Sequence, residues 1–255
     1  MLDKITPLII TFNESPNIAR NLNQLTWAKN IVVIDSYSTD DTLEILKSYP
    51  QVQIYQREFD TFADQCNFGL TKITSQWVLS LDADYILSEE LIKELKDLPE
   101  NSEFDSYFVK FKYCIWGHTL RGHLYPPRQV LYQKEKAIYQ VDGHGHRVQI
   151  NGKIGKLSGY IYHDDRKPLN LWFISQSKYA ILEANKLLNT AYQKLSFADK
   201  IRRQKIIAPV LILIYCLILK GGILDGWAGW YYAFQRVLAE ILLSISIIQL
   251  ELEQK

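Results

Sequence analysis

The chain has 255 residues, 47% apolar and 22% charged, enough for one large globular domain or a domain with an appendage. With 29 Lys and Arg against 28 Asp and Glu, the formal net charge is +1, which excludes the strongly basic footprint of a nucleic-acid binder. Cys66, Cys114 and Cys216 are far apart and in no metal-ligand spacing. The N-terminus, MLDKITPLIITFNE, has no basic stretch leading into a long apolar run, so a cytoplasmic protein with reduced thiols is expected. The first element is the short apolar run ITPLIITF at 5–12, a strand with Pro7 near its start. SPNIARNLNQL follows as a helix, with Ser15 as N-cap and Pro16 at the first helical position. NIVVIDS, 30–36, is a β-branched strand ending in a carboxylate, and STDDTLEILKSY is a helix capped by Ser38 or Thr39. VQIYQR, 52–57, is a third strand, TFADQCNFGLTKI a helix and WVLSLDAD, 77–84, a fourth strand.

Short, continuous apolar strands alternating with helices are expected of a parallel sheet covered on both faces. In such sheets ligands bind beyond the carboxyl ends of the strands. Asn13-Glu14, Asp35, Arg57 and the pair Asp82/Asp84 all fall at such ends, so several polar groups converge on one edge. Asp82 and Asp84 either share a strand face or flank a turn. Two neighbouring carboxylates repel, and a divalent cation relieves that repulsion. Oxygen ligands of this kind suit Mg²⁺ or Mn²⁺ with phosphate oxygens and water completing the shell, and the cation neutralises the charge on a departing diphosphate.

From 104 to 165 the pattern changes to strands and hairpins with glycine turns, and from 168 it becomes helical. A basic cluster, Lys200, Arg202, Arg203 and Lys205, precedes the uncharged run Ile206–Leu219, which is shorter than the roughly 20 residues that span a bilayer and carries Pro209, expected to kink it. KGGILDGWAGW turns the chain into a second apolar helix, Trp230–Leu250. Basic and aromatic residues here are the ingredients of a pair of helices lying on a membrane surface, with two core helices of a bundle or a spanning hairpin as the other readings.

PLIITFNESPNIARNL, IVVIDSYSTDDTLEIL, FADQCNFGL and WVLSLDADYIL together resemble the nucleotide-binding half of family 2 glycosyltransferases. YPPRQVLY, GKIGKLSGYIYHDDRKPL and GGILDGWAGW resemble the bacterial branch that includes lipopolysaccharide-core β-glucosyltransferases. The resemblance implies an α/β fold of GT-A type, a Rossmann-like nucleotide-diphospho-sugar transferase domain with a mixed sheet, plus C-terminal apolar helices. It divides the chain into a nucleotide-sugar half at 1–100, an acceptor-side half at 101–168 and a helical, membrane-surface region at 169–255.

By the same resemblance the donor is a nucleotide-diphosphate sugar, commonly UDP-linked. Asp35 would contact the base, and the turn Thr11-Phe12-Asn13-Glu14 would run along the nucleoside with Glu14 near the ribose. Arg57 and Asp64 would help hold the donor, Asp82 would face the ribose or sugar, and Asp84 would ligate Mg²⁺ or Mn²⁺. His163 is either a further metal ligand or a loop anchor; Asp164 and Asp165 organise its loop. Transfer would invert the anomeric centre, with a base deprotonating the acceptor hydroxyl. Relatives carry a His-Glu pair where this chain reads QVDGHGHRV, with His146 at the glutamate position. The base is therefore Asp142, His144 or His146. Arg121 and Arg128 stand ready for an anionic acceptor or the diphosphate. The acceptor would be a glycan or glycolipid at the inner face of the cell membrane, in lipopolysaccharide or other envelope synthesis, with peripheral or monotopic attachment. Alternatives are a polyprenyl-phosphate acceptor, a sugar-nucleotide-binding protein without turnover, and a nucleotidyltransferase, which TFNESPN disfavours because it lacks a glycine-rich, basic phosphate loop.

Overall fold

The computed structural model describes residues 1–142 and 145–253. The chain divides into two compact units, Met1–Trp116 with Tyr125–Arg166, and Gly117–Leu124 with Lys167–Lys255.

In the first unit β1 (Ile5–Thr11), α1 (Ile18–Asn23), β2 (Ile31–Asp35), α2 (Thr42–Lys47), β3 (Val52–Gln56), α3 (Phe62–Lys72) and β4 (Trp77–Asp82) alternate as the sequence predicts. After them come β5 (Tyr85–Leu87), α4 (Glu89–Asp97), β6 (Ser106–Ile115), β8 (Arg128–Gln133), β9 (Ala137–Asp142), β10 (Gly145–Ile150) and β11 (Ile154–His163), while the two-residue β7 (His118–Thr119) belongs to the second unit. The strand order is β3-β2-β1-β4-β8-β6-β11-β5. β1, β2, β3 and β4 run parallel, β8 runs antiparallel to both β4 and β6, and β11 is parallel to β6 and antiparallel to β5. The sheet is therefore mixed. β9 and β10 pair separately as an antiparallel hairpin.

The period of two along the strands sends alternate residues into two cores. Ile31 and Val33 of β2 pack with Ile18 and Leu22 of α1, Leu46 of α2 and Leu91 and Leu95 of α4. Val32 and Ile34 pack on the other face with Ala63, Cys66 and Leu70 of α3. Each of these large aliphatic side chains contributes about 1.5–3 kcal/mol when fully buried. Pro7 precedes the pairing of β1 with β2, which begins at Leu8. The β9–β10 hairpin is tied down by Asn67 of α3, which exchanges two hydrogen bonds with the Tyr139 backbone (2.9 and 3.0 Å), and by the Tyr139 hydroxyl, which donates to Ser80 Oγ at 2.8 Å.

Three local expectations are corrected. Helix α1 starts at Ile18 and is preceded by Asn17, because residues 14–17 form a turn of their own in which the Asn17 and Ile18 N–H groups both donate to the Glu14 carbonyl at 2.9 Å. Helix α2 starts at Thr42, because Ser38 bonds back to Asp35 and Thr39 to Asn13. Pro209 does not kink its helix. It lies in the first turn of α7 (Ile207–Ile214), where no intrahelical N–H bond is due.

The second unit is helical, with α5 (Leu169–Asn189), α6 (Phe197–Arg202), α7 and α8 (Gly226–Glu253). The end of α7 widens into a π-helical turn at Tyr215–Leu219. The chain then reverses at Gly221 and Gly226, whose φ angles of 73° and 59° favour glycine. Ala184 and Leu187 of α5 pack with Leu195 and with Leu243 and Ile247 of α8. Glu240, in the middle of α8, is buried and accepts from Arg202 Nε and Nη2 at 3.1 and 2.9 Å. Lys205 Nζ reaches Glu251 at 2.5 Å. Gly222–Glu253 is the one helical stretch among the described residues that is long and apolar enough to cross a membrane by length and composition.

Candidate active site

The parallel strands β1, β2 and β4 end side by side, in register Thr11 with Asp35 and Ile10 with Asp82. That is the edge where an open sheet binds ligands. Asp35 is fully buried. Its Oδ1 accepts from Thr11 Oγ1 (3.0 Å) and Ser38 Oγ (2.5 Å), and its Oδ2 from the Ser38 N–H (2.9 Å) and Gln56 Nε2 (3.3 Å). It thus fastens the loop after β2 to the ends of β1 and β3. Asn13, with a positive φ of 53°, closes the facing loop. Its N–H donates to Ser38 Oγ at 2.9 Å and its Oδ1 accepts from the Thr39 N–H at 2.8 Å. The Glu14 N–H donates to Thr42 Oγ1 at 2.8 Å, and Glu14 Oε2 accepts from Asn17 Nδ2 at 3.0 Å. Phe12 and Tyr37 project from these two loops, 54% and 52% exposed. Two open aromatic faces beside a polar strand-end cluster form a surface suited to a planar base.

Arg57 and Asp64 stand on the β3 side. Arg57 grips Asp60 through both Nη atoms (2.8 and 2.6 Å) and donates to Gln65 Oε1 at 3.1 Å. Asp64 accepts from Thr61 Oγ1 at 2.7 Å in the N-terminal cap of α3. Both residues are engaged locally, at the rim of the strand-end edge.

Asp82 closes β4, Ala83 and Asp84 form a turn, and β5 starts at Tyr85, so the two acids flank a turn. Asp84 Oδ2 lies 2.9 Å from Nε2 of His163, the last residue of β11. The Asp164 N–H donates to the Asp84 carbonyl at 3.1 Å, so the pair is bridged through the backbone as well. Tyr85, Tyr113 and Tyr125 surround the imidazole with ring centroids at 5.3, 4.7 and 4.5 Å. His163 Nδ1 is buried without a hydrogen-bond partner, so Nε2 is the nitrogen directed at the acidic turn. Burial alone would lower the imidazole pKa. The Asp84 charge and hydrogen bond, joined by Asp82 and Asp165, outweigh it and hold the pKa above its ordinary value.

A carboxylate and an imidazole are donor types that a divalent cation takes. Cis ligands of an octahedral ion bound at about 2.0–2.1 Å are themselves about 2.9 Å apart. The Asp84 Oδ2–His163 Nε2 separation, 2.9 Å, is that of the hydrogen bond joining them, and a cation held by both would take the place of its proton. Among the described residues, no group of three or more His, Cys, Asp or Glu side chains is placed to hold a metal ion. An open two-ligand arrangement of this kind leaves positions for phosphate oxygens and water.

Several contributors have no counterpart in the sequence reading. Asn17, Arg20 and Asn21 form a polar face of α1, and Asn17 and Asn21 are each only 1% exposed. Buried amides at i and i+4 on a short helix are the one signal that marks this face in the sequence. The hydroxyls of Tyr85 and Tyr125 are hydrogen-bonded to each other. Arg128, at the start of β8, holds its guanidinium 4.7 Å over the Tyr125 ring and is exposed. Arg121, in the second unit, pairs instead with Asp225 at 3.5 Å. Of the candidate bases, His144 lies outside the described residues, as do the side chains of Asp142 and His146; the backbones of the latter two lie in β9 and β10.

The chain is 28% identical over 210 residues to the uncharacterized glycosyltransferase RP128 of Rickettsia prowazekii, covering 74% of this chain and 72% of that protein. It is 33% identical over 153 residues to the glycosyltransferase SunS of Bacillus subtilis, 59% of this chain but only 33% of SunS. Over 252 residues, 90% of the chain and 89% of the relative, it is 23% identical to LpsC, a lipopolysaccharide core biosynthesis glycosyltransferase of Rhizobium meliloti. In fold it is similar to residues 1–349 of S. aureus TarS in complex with UDP-GlcNAc, with a TM-score of 0.51 at 16% identity over 96% of this chain and 92% of that one. The model of the glycosyl transferase family 2 matches residues 7–156, more than half of the chain, which takes in Thr11, Asp35, Asp82 and Asp84 but not His163, and the protein belongs to that family.

Proposed function

We propose that this glycosyltransferase moves a sugar from a UDP-linked donor to a glycan or glycolipid acceptor of the cell envelope, with inversion at the anomeric carbon. The observation that carries the reading is the meeting of Asp82, Asp84 and His163 beside the Thr11–Asp35 pair on one sheet edge. The UDP-GlcNAc complex of similarly folded TarS supports the donor class, and the lipopolysaccharide role of LpsC supports the acceptor class.

The base lies against the Thr11–Asp35 floor between the loops carrying Asn13 and Ser38. Asp82 faces the ribose or the sugar, and Arg57 and Asp64 border the donor from the β3 side. Asp84 and His163 hold Mg²⁺ or Mn²⁺, which when bound neutralises charge on the diphosphate. Arg128, braced on Tyr125, offers a fixed cation to the same diphosphate or to an anionic acceptor. On the acceptor side the β9–β10 hairpin carries the base, Asp142 or a histidine beside it. That base takes the hydroxyl proton as the acceptor oxygen bonds to C1, and the C1–O bond to the nucleotide breaks with its electron pair leaving on UDP.

The second unit supplies membrane attachment. Ile206, Val210, Ile218, Leu219, Trp227 and Phe234 are all more than half exposed. An apolar surface of this extent is suited to the headgroup region of a bilayer.

A thermal-shift series of nucleotides and nucleotide sugars with Mn²⁺ tests the reading, because a ligand that binds the native state raises the melting temperature by mass action. UDP and one UDP-sugar are expected to give the largest shifts. Asp84→Ala is expected to lose the metal-dependent part of that shift and all sugar transfer while retaining its fold. Equal shifts for every nucleotide, or full transfer by Asp84→Ala, would reject the assignment.

A further inference from the structure

We propose that the polar face of α1 is the positioning device of the cation site, with Asn21 as its principal residue. The inference rests on the metal reading of Asp84 and His163 above and adds what sets the distance between them.

The Asn21 amide uses both of its N–H groups on the acidic turn. Nδ2 donates to the Asp82 carbonyl at 3.0 Å and to the Tyr85 carbonyl at 2.8 Å. These carbonyls bracket Ala83-Asp84, so one side chain closes the turn that carries the proposed ligand. The residue before Asn21, Arg20, holds the other half of the site. Its Nη1 donates to Asp164 Oδ2 at 2.9 Å and its Nη2 to the Asp164 carbonyl at 2.7 Å. Arg166 Nε and Nη2 reach the same Asp164 oxygen at 3.0 and 2.9 Å. Asn17 Nδ2 adds a bond to Asp165 Oδ1 at 2.9 Å. The residue before this loop is His163, and the Asp164 N–H is the group that bonds the Asp84 carbonyl.

Helix α1 therefore grips two segments, 82–85 and 163–165, that come from distant parts of the chain. Each segment carries one member of the Asp84–His163 pair. Turns are easily deformed, and an ion that requires near-ideal octahedral geometry tolerates little deformation. A buried amide on a helix, bonded to backbone rather than to solvent-exposed side chains, restricts the turn to one conformation. Asn21 and Arg20 touch neither donor nor ion in this arrangement. They act through the residues they hold, and outer partners of this kind typically change metal affinity by 10–100-fold.

The experiment measures Mn²⁺ binding to the full chain by electron paramagnetic resonance in the presence of UDP, and UDP binding without metal by calorimetry. Asn21→Ala is expected to weaken Mn²⁺ binding by about 10-fold or more with metal-free UDP binding unchanged. Arg20→Lys, which keeps the charge facing Asp164 but loses the fork, is expected to weaken it less, and it carries the test if Asn21→Ala does not fold. A folded Asn21→Ala that binds Mn²⁺ as the wild type does would overturn the role of Asn21 and leave the cation site standing. Absence of Mn²⁺ binding by the wild type would overturn both.

Discussion

Asp40 has no part in the proposed chemistry, yet it joins the two loops that frame the base pocket. Its Oδ1 accepts from the Thr42 N–H (3.1 Å) and Oγ1 (2.5 Å), and its Oδ2 from the Ser15 N–H (3.1 Å). Partial burial would raise its pKa, but hydrogen bonds from Thr42 and Ser15 prevail and hold it below the usual carboxylate value. A carboxyl group depressed on folding adds stability above its unfolded pKa, and that stability is lost as pH falls through the folded value. Asp40→Asn is therefore expected to be less stable than wild type at neutral pH, with the gap closing below about pH 4. Urea unfolding at pH 7 and pH 3 measures it, and a constant gap would remove the carboxylate from the account. The same residue explains a misreading. Ser15, Ser38, Thr39, Asp40 and Asp41 are all competent caps by type, and only their partners across the two loops decide which of them serves a helix. Asp35, by contrast, was legible, because a continuous β-branched run delivers it to a strand end. Arg20 and Asn17 were not, since their partners lie 144 and 148 residues away and leave no local trace.

At the level of elements, the alternation from β1 to β4 was legible because continuous apolar runs separated by capped, amphipathic segments have few other solutions. The later half of the sheet was not. β8, β6 and β11 enter it out of chain order, and β11 changes register against β6 between Lys156 and Tyr160. Gly159 lies in that irregular stretch, where a Cβ would fall 2.5 Å from the Leu91 Cα of α4. Backbone cannot step aside as a flexible side chain does. Gly159→Ala is expected to lose about 1–3 kcal/mol through overpacking of α4 on β11. Chemical denaturation at neutral pH reads that loss, and a neutral result would mean that α4 shifts freely. Because β11 also delivers His163, the same variant is expected to weaken Mn²⁺ binding.

Across the whole molecule, the sequence pointed to apolar C-terminal helices but left their relation to a membrane open. On α8, Trp227, Trp230, Phe234, Ile241, Ile245 and Leu252 are all substantially exposed. They recur at helical spacing along about 38 Å of axis. Converting Trp227, Trp230 and Phe234 to Ser is expected to reduce partitioning onto phosphatidylglycerol vesicles at least about 100-fold, from about 1.5–3 kcal/mol per large apolar side chain. Vesicle co-flotation measures this, and undiminished flotation would place the lipid-facing surface elsewhere. The buried Glu240 pairing bears on how that stripe is presented. Leu243 and Ile247, buried against α5, already set the angle of α8 about its long axis. The carboxylate mated to Arg202 adds a charged key to that packing, since the same roll of α8 brings the two charges together. The stripe is thus aimed by the fold itself, and cutting the key, as in Glu240→Leu, would leave its direction to the apolar packing alone.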